Sequence, residues 1–105
     1  EIETIVNKEK FYLEFDLKLN TLAKKLDCSI HHISQAINQN ANMSFPDFIN
    51  SFRIEEAKKK LIEPKPPKIF ALSLDVGFNS KAAFYAAFKK NMQITPTEFK
   101  KLHKP

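Results

Sequence analysis

The sequence has very few of the residues on which sheets, disulfides and membrane spans depend. Its 105 residues include one Gly and no Trp, and a sheet-based fold needs Gly in turns of positive φ. The single Cys28 excludes an internal disulfide and fits a reducing compartment. No apolar run approaches the roughly 18 residues of a membrane span, and no signal peptide is visible. We therefore expect an all-α, cytoplasmic chain without membrane contact. Its start at Glu1, without Met, suggests a piece of a longer protein.

What the chain does have is apolar content for a core and an uneven distribution of charge. Hydrophobic residues make up 43%, with ten Phe. Residues 1–52 carry five Lys/Arg and seven Asp/Glu, a net −2, whereas residues 53–105 carry twelve and five, a net +7. A basic half suits a polyanionic partner such as nucleic acid, although a solubilising surface has the same composition.

An internal repeat links the two halves of the chain. The first set, Leu22-Ala23, Leu26, Ser29, Ile33 and Ile37, matches the second set, Leu72-Ser73, Val76, Ser80, Phe84 and Phe88. The offset is 50 residues at first and 51 from Ser29 and Ser80 onward, so the second copy has one extra residue in its turn. Because polar capping residues recur in the same register as apolar ones, chance is a poor explanation.

Each copy of the repeat is typical of two short helices joined by a tight turn. In the first copy, Ser29 is placed to cap a second helix whose inward face is predicted to be Ile30, Ile33 and Ile37. In the second copy, Gly77 supplies the turn, Ser80 the cap, and Phe84 with Phe88 the buried face. This is the geometry of a DNA-binding helix-turn-helix, although tight helix pairs also occur in proteins that bind nothing. Two copies in one register favour the DNA-binding interpretation.

A predicted capping box follows each unit and sets the remaining helix boundaries. Ser44-Phe45-Pro46-Asp47 and Thr95-Pro96-Thr97-Glu98 both combine a hydroxyl at the N-cap, a carboxylate at N3 and Pro in the first turn. The first box opens a linker helix, about residues 45–62. The side chains of this helix that are predicted to face mostly inward are Phe45, Phe48, Ile49, Phe52, Ala57 and Leu61. The second box opens a short helix that runs to about Leu102. With a leading helix near residues 2–12, the prediction is seven helices. It divides the chain into a first helix-turn-helix subdomain (1–44), a linker helix (45–62) and a second subdomain (63–105).

Several motifs resemble the AraC/XylS-type transcription regulators of bacteria. They are Leu72-Ser-Leu-Asp-Val-Gly-Phe-Asn-Ser80, Phe84-x-x-x-Phe88-Lys-Lys90, Thr95-Pro-Thr-Glu-Phe99 and Ser44-Phe-x-x-Phe-Ile-Asn50-x-x-Arg53-Ile-x-x-Ala57, and the likeness covers about residues 11–102. The resemblance implies two homeodomain-like helix-turn-helix units on a rigid linker. It also implies that recognition helices at about 30–38 and 81–90 enter adjacent major grooves of double-stranded DNA. The chain would then be the output domain of a regulator that has a separate sensor region.

The sequence departs from this family at five positions. Asp27, Asn42 and Gln93 stand where turns often have Gly; Asp and Asn tolerate left-handed backbone, but Gln93 leaves the last turn open to question. Lys18 replaces a capping Thr, so the helix after it should begin less sharply. Ala86 replaces an arginine that is common in the second recognition helix, and this change removes a hydrogen-bonding group from that helix.

The resemblance maps base-reading positions onto His31, Ser34 and Gln35 of the first recognition helix. On the second, with Phe84 and Phe88 in the core, helical periodicity leaves Lys81, Ala82 and Tyr85 outward. The predicted base-contacting residues are His31, Ser34, Gln35, Lys81, Ala82 and Tyr85, and the predicted phosphate-contacting residues are Lys24, Lys25, His32, Asn38, Ser80, Lys89 and Lys90. Gln can bond adenine bidentately, whereas Ala can only touch a thymine methyl. We therefore expect the first unit to discriminate sequence and the second mainly to bind phosphates. The run Lys58-Lys59-Lys60 is a further candidate for phosphate contact. For all these residues, an ordinary solvated helix face remains the alternative. Arg53 is expected to form an ion pair with Glu55 or Glu56.

Other functional classes find less support in the sequence. No catalytic constellation is visible, so we expect neither an enzyme nor a cofactor. A zinc site at Cys28 and His32 would lack further ligands nearby. The competing hypothesis is a helical protein-interaction module that has lost DNA recognition, which Ala82 and Ala86 favour. RNA binding lacks an exposed aromatic platform. The isolated domain is expected to be monomeric, and RNA polymerase is a possible partner of the full-length protein.

Overall fold

The protein is built from helices alone over the residues that its structure describes. The computed structural model describes residues 2–103, apart from the side chains at positions 40 and 41. Its helices are α1 (Ile2–Glu9), α2 (Leu19–Lys25), α3 (Ile30–Ala41), α4 (Phe45–Leu61), α5 (Ile69–Asp75), α6 (Lys81–Met92) and α7 (Pro96–Leu102), with one turn of 3-10 helix at Phe11–Leu13. Within this range there are seven α-helices and no strand, which confirms the all-α prediction. None of these helices combines the length and the apolar character that crossing a membrane requires.

The second helix of each unit begins at the serine that the repeat indicates. The Ser29 hydroxyl accepts a hydrogen bond from the His32 amide at 3.0 Å, and the Ser80 hydroxyl accepts one from the Ala83 amide at 3.0 Å. Each bond satisfies an amide that the first turn of a helix leaves without an intrahelical partner. Lys18, by contrast, makes no side-chain cap for α2. The starts of α3 and α6 are thus fixed locally, by sequence.

Only one of the two predicted capping boxes is complete. At α7, the Thr95 hydroxyl accepts from the Glu98 amide at 3.1 Å, and the Glu98 carboxylate accepts from the Thr95 amide at 2.9 Å. These bonds with Thr95 hold the pKa of Glu98 below its ordinary value. At α4, Ser44 caps the Asp47 amide at 3.3 Å, but the Asp47 carboxylate binds Lys90 of α6 instead of returning to the cap. The prediction of a full box at Ser44 was wrong because an oppositely charged group, the Lys90 ammonium, competes for the Asp47 carboxylate.

The turns that lack glycine adopt left-handed backbone. Asp27, Asn42 and Gln93 have φ of 54°, 55° and 67°, so even the Gln93 turn takes the conformation usual for Gly. Lys10 is also left-handed, with φ of 54°, and it ends α1. The predicted leading helix over 2–12 is therefore interrupted. The break redirects the chain so that Tyr12, only 2% exposed, stacks on Phe52 with ring centroids 5.7 Å apart.

Two hydrophobic clusters lie along α4, one for each half of the chain. The first contains Val6, Tyr12, Leu17, Leu22, Ala23, Ile33, Ile37, Phe48 and Ile49. The second contains Ile54, Ala57, Leu61, Leu72, Val76, Phe78, Phe84, Ala87, Phe88 and Phe99. Four of the linker side chains predicted to face inward are buried, while Phe45 and Phe52 are only half-buried. The 17 residues of α4 span roughly 25 Å at 1.5 Å per residue. The domain measures 45 × 23 × 21 Å, so its two units are spread along one axis.

Candidate nucleic-acid interface

The outward face of α3 has the polar side chains that the sequence predicts. His31, Gln35 and Asn38 are exposed, as is His32, and Ser34 is half-buried. Ile33 and Ile37 on the opposite side are buried, at 0% and 3% exposure, and hold the helix against the first cluster. The three candidate base-contacting residues, 31, 34 and 35, follow i, i+3 and i+4 spacing, so they share one face. The structure therefore brings this trio together on the accessible side of α3.

Ile30 was predicted to face the core, and this prediction was wrong. It is 48% exposed at the first position of α3. The stripe formed with Ile33 and Ile37 extends past the first cluster at this end of the helix, so no buried partner covers the side chain. Because Ser34 lies one turn further along, at i+4, Ile30 borders the polar trio. An apolar group at the edge of a polar surface is suited to contact with a thymine methyl.

The outward face of α6 has a different composition. Lys81, Ala82 and Ala86 are exposed, as is Lys89, and none of the alanines can donate or accept through its side chain. Tyr85 is half-buried: its hydroxyl lies 2.9 Å from the Thr97 hydroxyl of α7, and the Lys81 ammonium lies 5.6 Å from its ring centroid. The ring is thus held in place by neighbours on both sides. This face combines positive charge with small apolar groups.

Two of the candidate phosphate-contacting lysines form ion pairs with carboxylates of the protein. The Lys90 ammonium lies 3.0 Å from a carboxylate oxygen of Asp47, and the Lys25 ammonium lies 3.7 Å from Glu14 and 5.0 Å from the Phe11 ring. Exposed pairs of this kind contribute about 0–1 kcal/mol, so a phosphate can displace them at low cost. Lys24 and Lys89 are exposed. The Ser80 hydroxyl is half-buried and serves as the cap of α6, although its second lone pair and its proton are available.

Arg53 plays a part that the sequence did not indicate. Among residues 2–103 it forms no ion pair with a carboxylate, contrary to the predicted pairing with Glu55 or Glu56. Its guanidinium donates to the main-chain carbonyls of Tyr12 at 2.6 Å and Glu14 at 2.8 Å, and to the side-chain oxygen of Asn50 at 3.1 Å. Burial lowers the pKa of Arg53 from its ordinary value. The predicted partner Glu56 binds other groups: it accepts from the Tyr12 hydroxyl at 3.5 Å and pairs with Lys10 at 3.6 Å. Burial, with Glu56 beside the phenol, raises the pKa of Tyr12.

Metal-binding chemistry is not visible in the part of the chain that the structure describes. Residues 2–103 contain no group of three or more His, Cys, Asp or Glu that could hold an ion. Cys28 is exposed and its thiol lies 3.3 Å from the Leu26 carbonyl.

Known proteins resemble this chain in sequence. A family described as a helix-turn-helix domain matches residues 22–102. The probable transcription factor PqrA of Proteus vulgaris is 31% identical, over 93% of this chain and 84% of its own length. The Msm operon regulatory protein of Streptococcus mutans is 32% identical over 81% of this chain. In that relative, the match spans only 30% of the length.

Solved structures give the same result. The C-terminal domain of AraT, a response regulator from Geobacillus stearothermophilus, has a TM-score of 0.81 and 27% identity, and the match covers 96% of this chain and 84% of that one. The DNA-binding domain of AdpA, solved in complex with a target DNA, shares the fold at a TM-score of 0.78 and 14% identity, covering 97% and 88% of the two chains. The chain belongs to the AraC/XylS-type family of helix-turn-helix transcription regulators.

Proposed function

We propose that this domain binds double-stranded DNA sequence-specifically, as the output domain of a bacterial transcription regulator, with α3 and α6 in adjacent major grooves. The observation that carries the proposal is the pair of capped helices, each presenting an accessible outward face, at opposite ends of one linker. Successive major-groove faces lie about 34 Å apart along DNA. The 45 Å long axis of the domain and the roughly 25 Å of α4 suit that spacing, because the recognition helices project beyond the linker.

The two units are proposed to differ in role. On α3, Gln35 can bond adenine bidentately, His31 can donate to or accept from a base edge, and Ser34 is adaptable. Ile30, exposed beside them, adds an apolar contact suited to thymine. On α6, Lys81, Ala82 and Tyr85 are the base-facing positions, but charge and small apolar groups give less discrimination than hydrogen bonds do.

Phosphate contacts are proposed around both helices. The residues are Lys24, Lys25, His32, Asn38, Ser80, Lys89 and Lys90. They supply orientation and most of the non-specific affinity, because charge neutralisation of phosphates releases counterions. Because the two faces differ, the preferred site should be asymmetric and cover on the order of two helical turns.

We also propose that this domain is part of a longer regulator. The match covers only 30% of the Msm regulator, so a longer protein with a separate sensor region is the natural setting for this domain. We propose that the subdomains are residues 1–44 and 63–105, joined by 45–62, that the isolated domain is a monomer in the cytoplasm, and that RNA polymerase is a partner of the full-length protein.

Affinity measured against salt concentration tests the proposal. Sites are first selected from random duplex DNA, and the dissociation constant is then measured by fluorescence anisotropy between about 50 and 200 mM salt. We expect selective binding, and we expect the logarithm of the association constant to fall steeply and linearly with the logarithm of the salt concentration. A slope near zero, or no enrichment of any sequence, would contradict DNA binding and favour a protein-interaction module.

A further inference from the structure

One buried arginine joins three parts of the chain that are distant in sequence. Arg53 lies at the middle of α4 and is 8% exposed. Its hydrogen bonds to the carbonyls of Tyr12 and Glu14 span 41 and 39 residues of sequence. Its guanidinium carbon lies 5.5 Å from the centroid of Phe78, in the turn of the second unit. We name the group formed by Tyr12, Glu14, Arg53, Gly77 and Phe78 the junction.

The junction is closely packed at its second-unit side. A Cβ added to Gly77 would meet the Tyr12 carbonyl oxygen, and it would come within 2.7 Å of the Arg53 Nε. The turn of the second helix-turn-helix therefore sits directly against the leading segment of the first. Leu13 packs against both hydrophobic clusters, which places this segment across the boundary between them. The leading segment thus contacts both units and the linker at one point.

The chemistry of the contacts makes the junction directional. A guanidinium is planar and presents its donors in a fixed fork, so two carbonyls and an amide oxygen bound to it have defined relative positions. These hydrogen bonds hold the leading segment against the linker. The second unit is then positioned by the close approach of Gly77 and the Phe78 ring to this fixed group. In a buried setting, each bond is costly to leave unmade.

We propose that Arg53 is a positioning residue for DNA recognition: through the junction, it fixes the angle between the two recognition helices and so sets the spacing of half-sites that the domain accepts. The inference rests on the proposed function, since it concerns how two DNA-reading units are held together. A rigid pair gains from simultaneous binding only when both half-sites have the correct spacing.

Sites of altered spacing test this proposal. Inserting one base pair between the half-sites turns one of them by about 34–36° relative to the other. The wild-type domain should lose roughly 100-fold in affinity, which is the loss of simultaneous binding. Arg53→Met keeps an unbranched stem but removes the three hydrogen bonds. It should bind the cognate site about tenfold more weakly and lose at most about tenfold further on insertion.

Controls separate the junction from charge and from folding. Lys65→Met removes one positive charge from the exposed loop before α5 and should keep the full wild-type penalty on insertion. Should Arg53→Met be unfolded by circular dichroism, Arg53→Lys keeps the charge but cannot span both carbonyls, and it should show an intermediate penalty. A wild-type penalty retained in full by either folded Arg53 variant would overturn the positioning role. Absence of the penalty in the wild type would contradict the rigid pair itself.

A measurement without DNA distinguishes failure of the positioning role of Arg53 from failure of the proposed DNA-binding function. Spin labels at Asn20 of α2 and Lys101 of α7, both exposed, report the distance between the units in a Cys28→Ser background. The wild-type junction should give one narrow distance distribution, and Arg53→Met should broaden it. Equal widths in the two proteins would refute the inference even if DNA binding is established. A broadened distribution supports the fixed angle between the units, and the insertion experiment tests its effect on half-site spacing.

Discussion

Gly77→Ala is expected to be among the most destabilising single substitutions in the second unit. Gly77 has φ of 105°, a conformation that side chains with Cβ rarely adopt. Holding Ala there costs of order 1–3 kcal/mol, and overpacking against a neighbour that cannot yield costs a similar amount. The neighbour here is the main-chain oxygen of Tyr12, which can retreat only if the 3-10 turn moves. The reduced entropy of the unfolded chain offsets about 0.4–1 kcal/mol.

The net expectation is a loss of about 3 kcal/mol in the free energy of unfolding, or roughly 12–24 °C in Tm. Urea denaturation followed by circular dichroism measures the free energy directly. The matched control is Asn42, an exposed left-handed position with φ of 55°. The difference between Asn42→Gly and Asn42→Ala measures left-handed strain together with the same unfolded-state entropy, about 1 kcal/mol in all. If Gly77→Ala costs no more than that difference, the close approach to Tyr12 is not the constraint that we describe.

The remaining predictions concern DNA. Gln35→Ala should lower affinity for the selected site by about 1–3 kcal/mol and relax preference at one or two base pairs. Lys89→Ala should weaken cognate and random DNA alike and reduce the salt slope by about one unit. If Lys89→Ala alters base preference while Gln35→Ala leaves it unchanged, the roles assigned to the two units are interchanged. Replacing thymine by deoxyuridine in the half-site read by α3 should weaken wild-type binding about fourfold per contacted methyl, from about 0.8 kcal/mol for one buried carbon. The same replacement should leave the affinity of the Ile30→Ala protein unchanged. An equal loss of affinity in both proteins would place Ile30 outside the interface. Glu55→Pro, on the exposed side of α4, should cost about 3 kcal/mol of helix stability and reduce specific affinity far more than the binding of either half. Full specific affinity in a folded Glu55→Pro protein would contradict a rigid linker.

Features of this fold that depend on local sequence could be predicted from it. The caps at Ser29, Ser80 and Thr95 depend on partners three residues away, so spacing alone was enough to find them. The outward faces of α3 and α6 followed from helical periodicity in the same way. The left-handed turns at Asp27 and Asn42 reflect the tolerance of those residue types for that conformation.

Features that depend on distant contacts could not be predicted. Periodicity places Ile30 on the stripe of Ile33 but does not tell where the cluster beneath that stripe ends. Arg53 binds main-chain carbonyls, and these have no sequence signal. The break after Lys10 likewise depends on how Tyr12 packs against the linker. In each case tertiary packing decided the outcome.

Hydroxyl-radical footprinting of the wild-type chain on its selected site tests the central claim most directly. Two unequal recognition surfaces on one rigid axis predict protection of the sugars that flank two adjacent major grooves on one face of the DNA, over about two helical turns, in an asymmetric sequence. The protection at both grooves should appear together as protein concentration rises. Protection confined to about half a turn, or a palindromic site occupied by two copies of the chain, would contradict the account.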